Sequence, residues 1–324
     1  MKRREFIAFV GGAAASLGHP ISARAQKRPV KIPRIGIIDD GPLWEYFRRG
    51  MRDFGFIDGQ TVAYEYRAAD GRPERLTAAA TELAALPVDL IATYGTPPSR
   101  AAKAATSTIP IVAIAIGDPV RAGLVQSLAH PGGNITGNTI LSPDLGPKRL
   151  QLIKEIIPTA ARIALLWNPD NVSNTVILDQ LRAAAPAQGL MFTAVEARSP
   201  GDFDRAFAIL ARERPDAVVL TSDPLHQTQR QRTIDFLIQS RLPGMFQTRD
   251  DAAAGGLVSY GADFRDMFWQ GAFFAQKILR GTRPADLPVQ TPQRFELVIN
   301  LKTAKAIGLT VSEAVLLRAD AVIE

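Results

Sequence analysis

The chain has 324 residues, no cysteine, three histidines, and 38 basic against 32 acidic side chains for a formal net charge of +6. This composition excludes a disulfide framework, cysteine nucleophiles and cysteine metal ligands, and the charges are too interspersed for nucleic acid, which wants a concentrated basic patch. The length suits two domains of ordinary size, each with its own core.

Residues 1–25 read as an export signal that is removed from the mature protein. Lys2-Arg3-Arg4-Glu5-Phe6-Ile7 is followed by a weak apolar run to Leu17 and by Ala23-Arg24-Ala25, a small-residue cleavage pattern. Adjacent arginines, a run diluted by Gly11 and Gly12, and Arg24 beside the cut fit the twin-arginine route. The run is short of the roughly 20 apolar residues that span a bilayer. The segment carries four basic residues and one acidic one, so the remainder has a net charge of +3. The expectation is a periplasmic protein, not membrane-anchored, that folds before export.

Beyond the signal, strand-like and helix-like segments alternate. Arg34–Ile38 reads as a buried strand, Trp44, Phe47, Met51 and Phe54 fall at helical spacing, and Thr61–Arg67 alternates as a strand does. A helix over 73–86, a strand over 88–93, a short helix over 101–105 and a strand over 109–115 follow. The rhythm then restarts: helix 145–157, strand 162–167, helix 173–188, strand 190–195, helix 202–213, strand 217–221, helix 227–240, strand 243–246. Residues 255–261 form a strand before a long helix carrying Phe268, Ala272, Ala275 and Leu279, which ends near Gly281. After a proline-punctuated link come a strand over 295–300 and a helix over 303–307. Two β-α-β-α series predict an α/β protein with two doubly wound parallel sheets.

In open parallel sheets, ligands bind beyond the carboxyl ends of the strands. Here those ends carry Asp39-Asp40-Gly41, Gly95-Thr96-Pro97, Gly117-Asp118-Pro119, Asn168-Pro169, Ser222-Asp223-Pro224 and Gln247-Thr248. Small polar groups on loops fixed by Gly and Pro suit a preformed hydrogen-bonding pocket, although Asp and Asn at such places also cap helices. Catalytic patterns are absent. His19 lies in the signal, His130 in the turn before Pro131-Gly132-Gly133, and His226 is expected at the surface of a helix N-terminus. There is no HExxH spacing, no G-x-S-x-G elbow, no Walker A and no G-x-G-x-x-G after a strand. No catalytic residue, metal or cofactor is expected, and the chain is read as a binding protein rather than an enzyme. The competing readings are an exported hydrolase using Asp118 and Asp223 as acid and base, and a ligand sensor docking to a receptor.

Specific stretches carry a family resemblance. They are Gly59-Gln60-Thr61-Val62, Ala102-Lys103-Ala104-Ala105-Thr106, Ile109-Pro110-Ile111-Val112, Gly117-Asp118-Pro119-Val120 and Pro131-Gly132-Gly133-Asn134-Ile135-Thr136-Gly137. Ala254 to Gly261, Pro284 to Gln290 and Phe295 to Lys305 extend it over almost the whole chain. Together they resemble the tryptophan/tyrosine-type substrate-binding proteins of ABC transporters. The resemblance implies a type I periplasmic-binding-protein fold whose lobes are joined by a three-crossover hinge. It puts residues 33–140 and 255–281 in lobe 1, and 141–254 and 282–324 in lobe 2. It implies a small-molecule ligand, an amino acid or related metabolite, delivered to ABC permease subunits. The cleft would be lined by Asp39, Asp40, Thr96, Pro97, Asp118, Asn168 and Asp223, with Gln247 and Tyr260. The first loop departs from the usual small residues, so a cationic or polyhydroxylated ligand is expected over plain tryptophan.

Overall fold

Ile111 and Ala113 pack into one apolar cluster while the intervening Val112 and Ile114 pack into another. A strand whose two faces are both buried needs helices on each side, which is the condition of a parallel sheet. The structure is a computed structural model that describes residues 32–39, 41–70, 72–141 and 145–324. The export segment expected over 1–25 and Asp40 lie outside the described residues.

The first lobe is built from β1 (Arg34–Ile38), α1 (Trp44–Asp53), β2 (Ala63–Arg67), α2 (Pro73–Ala85), β3 (Leu90–Tyr94), α3 (Thr96–Ala105), β4 (Ile111–Ile116) and β5 (Ile135–Thr139). Its sheet runs β2-β1-β3-β4-β5, parallel throughout. The strand β5 is absent from the sequence-based series, because Ile135-Thr136-Gly137-Asn138-Thr139 has a single large apolar residue.

The second lobe takes α4 (Leu145–Ile156), β6 (Arg162–Trp167), α5 (Asn174–Ala184), β7 (Met191–Glu196), α6 (Phe203–Glu213), β8 (Ala217–Leu220), α7 (Pro224–Thr228), α8 (Arg230–Gln239), β9 (Gly244–Phe246), α9 (Arg249–Ala253) and β10 (Val258–Ala262). The chain then adds α10 (Phe264–Leu279), β11 (Phe295–Asn300), α11 (Leu301–Ile307), α12 (Glu313–Leu316) and β12 (Ala321–Ile323). The second sheet runs β12-β11-β10-β9-β8-β6-β7 and is parallel except between β10 and β11. Ile163, Leu165 and Trp167 join one core, Ala164 and Leu166 the other, so this sheet too is covered on both faces.

The wiring corrects the sequence reading at one strand and at one link. Residues 258–262 were expected in lobe 1 with the helix that follows them. Instead β10 lies in the second sheet, with ladder partners in β9 on one side and β11 on the other. α10 returns to the first lobe, against α1 and the β3–β5 side of the sheet, and the link after it stays there through Leu287, Val289 and Gln290, where residues from 282 on were expected in lobe 2. The crossing falls at Asp263, whose carboxylate caps α10 by accepting from Arg265 N at 2.9 Å. The chain therefore passes between sheets after β5, at Asp263, and between Gln290, bridged to Asn138, and β11.

A bulge shapes the end of β4. Its register shifts between Ala113 and Ile116, and Ala115 has φ of 55°. Asn138 holds it, accepting from Ala115 N at 2.8 Å and donating to Met267 O of α10 at 2.8 Å. Bulges re-aim the residues beyond them, and here those are Gly117 and Asp118.

Candidate ligand cleft

The carboxyl ends of the two sheets face each other and touch. Thr96, in the first turn of α3, and Ser173, before α5, approach to 2.7 Å between their hydroxyl oxygens. Thr96 Oγ1 also accepts from Gly117 N at 3.1 Å, and Ser173 Oγ accepts from Asp118 N at 3.2 Å. A Cβ on Gly117 would fall 2.2 Å from Ser173 Cβ, and one on Gly95 would fall 2.9 Å from Pro224 Cγ. Gly95 also has φ of 78°. Glycine at these two strand ends is what lets the lobes close.

Outside this contact lies a cavity of about 760 Å³ between the lobes. Trp44, Tyr46, Tyr66, Tyr94 and Phe268 supply an aromatic wall from lobe 1; Pro224, Gln227, Thr228, Arg230 and Asp250 face it from lobe 2. Trp44 is core as well as wall. It is 2% exposed, donates Nε1 to Asp39 O at 2.7 Å, and meets Phe47 and Phe268 edge to face. Asp39 accepts from the Ala69 and Asp70 amides. Burial pushes its carboxyl above the ordinary range, against the pull of those two N–H groups. Most other charges on the wall have partners nearby: Arg67 with Glu82 at 2.7 Å, Asp70 with Arg75, and Asp250 with Arg265 at 3.5 Å. Arg230 has a looser one, Asp251 at 3.8 Å.

A smaller cavity of about 30 Å³ adjoins it on the hinge side, with Tyr94 and Pro224 in the walls of both. Thr96, Gly117, Arg149, Asn171, Ser173, Asn174 and Gln247 also line it. Arg149 is 2% exposed and donates Nε to Tyr260 O at 2.9 Å. Among the described residues no carboxylate lies within ion-pair distance of it, and burial lowers its pKa to about 10. Asp223 caps α7 through Leu225 N at 2.9 Å and accepts from Asn171 Nδ2 at 2.7 Å, Asn174 Nδ2 at 3.1 Å and Asn168 Nδ2 at 3.4 Å. Gln247 donates to Leu220 O at 2.6 Å.

The residues expected in the cleft thus fall into distinct places. Asp39 lines the outer cavity, and Thr96 and Gln247 the inner one. Pro97, Asp118, Asn168, Asp223 and Tyr260 line neither. Asp118 caps its own turn, accepting from Val120 N at 3.1 Å and Arg121 N at 2.9 Å. Asp223 and Asn168 stand behind the asparagine wall, and Tyr260 packs beside Phe295 at the edge of the second core. His226 is buried rather than at the surface, because the α7 turn folds it onto Phe203 and within 3.1 Å of Thr221 Oγ1. Arg149, Asn171, Ser173 and Asn174 were missed. The signal for Arg149 was available: it sits four residues from both Leu145 and Ile153, on the apolar face of its helix.

The chain is similar in sequence and in shape to several known proteins. The chain is 27% identical over 264 residues to a tyrosine-binding protein of Clostridioides difficile strain R20291, covering 81% of this chain and 75% of that one. A conserved domain protein from Vibrio cholerae superposes with a TM-score of 0.84 at 29% identity, over 90% of this chain and 100% of the other. An ABC domain from Streptococcus pneumonia in complex with L-Trp gives 0.82 at 26% identity, over 90% and 99%. The ligand-free, open structure of a Clostridium difficile substrate-binding protein with adhesive properties gives 0.62 at 25% identity, over 90% and 99%. The better fit to the L-Trp complex than to the open form agrees with lobes that touch at Thr96 and Ser173. Residues 43–323 match the model of the ABC transporter substrate binding proteins, and the chain belongs to that family.

Proposed function

We propose that this chain is the periplasmic receptor of an ABC importer, exported by the twin-arginine route and delivering a small solute to permease subunits by hinge closure. The observation that carries this is the cavity of about 760 Å³ between two lobes already in contact deeper in the cleft. A space of that size, with an aromatic wall on one side and polar groups such as Gln227, Thr228 and Arg230 facing it, suits a small organic ligand. The tyrosine- and tryptophan-binding relatives support an amino acid or a related metabolite. Among the described residues no helix is long and apolar enough to cross a membrane.

A hydrolase reading has less behind it. Its acid and base, Asp118 and Asp223, are both engaged in capping, and neither lines a cavity. A thermal-shift screen against amino acids, aromatic acids, nucleosides and sugars tests the receptor reading. A saturable rise in Tm with one class, without turnover, is expected. A solute consumed during incubation would refute it.

A further inference from the structure

Among the described residues, two ion pairs cross from one lobe to the other, and both have the same polarity. Arg121, in the turn after β4, and Asp179, on α5, place Nη1 and Oδ2 3.5 Å apart. Arg265, in the first turn of α10, and Asp250, on α9, place Nη2 and Oδ1 3.5 Å apart. Lobe 1 supplies both cations and lobe 2 both acids. We infer that these pairs form an electrostatic clamp that draws the lobes together without solute, so that the ionic strength of the medium sets how much of the empty chain stands closed. The inference goes beyond the solute-receptor reading and holds whatever the solute is.

The pairs stand at the two ends of a row of contacts. In the second sheet β9, β8 and β6 are neighbours in that order. α9 follows β9 and carries Asp250, Pro224 follows β8 and faces Gly95, and α5 follows β6 and carries Asp179. Ser173 and Asp179 are separated by about 9 Å of helix rise, and they meet Asp118 and Arg121 in that order on the lobe 1 turn. Both cations are held in advance. The turn of Arg121 is pinned by Asp118, whose carboxylate accepts from Arg121 N at 2.9 Å and whose carbonyl accepts from Ala122 N at 2.9 Å. The Arg265 guanidinium lies over the Tyr46 ring, 6.0 Å from its centroid, and its backbone N–H donates to Asp263 at the crossing. Fixing the charges beforehand reduces the entropy that an exposed pair costs.

Range separates these pairs from the hydroxyl contact of Thr96 with Ser173. A hydrogen bond is lost once its atoms part by more than about 3.5 Å, whereas attraction between charges persists over a Debye length, about 8 Å at physiological salt. The ion pairs therefore act on lobes that are still partly open, and the hydroxyls fix them once closed. Each pair is modest, changing the closed-to-open ratio by up to about fivefold. The Arg121 pair, with side chains 50% and 57% exposed, is the one that salt weakens first; the Arg265 pair, at 32% each, is better shielded. A closed empty chain has to open before it admits a solute, so a weaker clamp raises the fraction ready to load.

Distances between spin labels on the solute-free chain test this. The sequence has no cysteine, so Arg72→Cys and Gln231→Cys take labels at those two sites alone. Both positions are exposed, near Asp70 and Arg230 on opposite walls of the cleft. Pulsed dipolar spectroscopy in about 20 mM sodium chloride is expected to show mainly a short distance, with population moving to a longer one as salt rises to about 1 M. Asp179→Arg should shift the low-salt ratio toward the long distance by about fivefold or more, and adding Arg121→Asp to it should bring the short distance back. Asp250→Arg should open the chain in the same sense from the other end of the row, which covers an Asp179→Arg protein that does not fold. A wild-type chain already open at low salt, distances that ignore salt, single reversals that leave the ratio unchanged, or a swap that does not recover it would each overturn the clamp. None of these outcomes bears on solute binding, which the thermal-shift screen decides separately.

Discussion

Thr96 Oγ1 and Ser173 Oγ, 77 positions apart in the chain, meet at 2.7 Å where the two sheets face each other. Each hydroxyl also accepts a backbone N–H from the β4 loop, Gly117 for Thr96 and Asp118 for Ser173. One strand end is thereby bonded to both lobes, and the contact acts as a latch for the closed arrangement.

The latch can be loosened or wedged. Ser173→Ala removes two hydrogen bonds, one spanning the lobes through Thr96 and one through Asp118, and should weaken solute binding by about 1–2 kcal/mol. Gly117→Val places carbon where Ser173 Cβ already sits and should hold the lobes apart. Small-angle scattering on the ligand-free variants would show an increased radius of gyration, larger for Gly117→Val. A Gly117→Val protein that scatters like the wild type would show that this contact does not set closure.

Asp223 has a structural duty that its position did not advertise. It is 1% exposed and is the shared acceptor for Asn168, Asn171 and Asn174. Asp223→Ala strands several buried amide donors, at a cost of about 3 kcal/mol. Chemical denaturation should show it as a lower midpoint at unchanged slope. Asp223→Asn, which keeps one acceptor oxygen, should lose less. If the alanine variant were as stable as the wild type and lost only ligand binding, Asp223 would touch solute directly.

His226 gives the fold an acid sensitivity. Burial lowers its pKa below the ordinary 6.5, partly offset by the charge of Asp223 and by a hydrogen bond the ring donates to the Thr221 backbone. The native state therefore holds the ring neutral. Between its folded pKa and 6.5 the unfolded chain binds more protons, so stability rises with pH through that window and is lost as pH drops through it, with no further change from this group once both states are protonated. The buried carboxyls of Asp39 and Asp251, whose pKa values are raised by desolvation, act in the opposite sense at lower pH. Tm measured from about pH 7.5 down to about pH 5.5 should decline, and His226→Gln should flatten the decline. An equal slope in that variant would assign the effect to other groups.

Most of the architecture was legible because strands buried on both faces, such as Ile111–Ile116 and Arg162–Trp167, announce themselves as apolar runs with turns at their ends. β5 was not, since Thr136, Asn138 and Thr139 are buried by hydrogen bonds to Leu287 O, Met267 O and Ile116 O rather than by apolar contact. The lobe of β10 was misread because Val258-Ser259-Tyr260-Gly261-Ala262 pairs equally well with any edge, and only the long-range ladder to β11 decides it. At the cleft, the carboxyl-end rule located the loops but not the side chains. Asp118 and Asp223 bend their own turns, whereas Ser173 and Arg149 enter from the loop before α5 and from the face of α4. Which of several polar residues on a loop faces inward depends on the docking of the other lobe, which local sequence does not encode.

Tyr94 stands where the two cavities join, and its hydroxyl separates binding from stability. The oxygen is sealed from solvent without a well-formed hydrogen bond, though Ser222 faces it, and burial pushes the phenol pKa upward. The ring packs on Phe264 and Phe268 at centroid distances of 6.0 and 5.4 Å. Tyr94→Phe keeps that packing and removes an unsatisfied polar atom, so ligand-free stability should hold or rise by up to about 1 kcal/mol. A solute lying past Tyr94 with an acceptor oxygen would lose a donor, and its affinity should fall about tenfold. Paired measurements of ligand-free Tm and solute Kd on this single variant distinguish the two effects. A Tm several degrees lower would mean that the hydroxyl already has a native partner and that the junction is a finished part of the core.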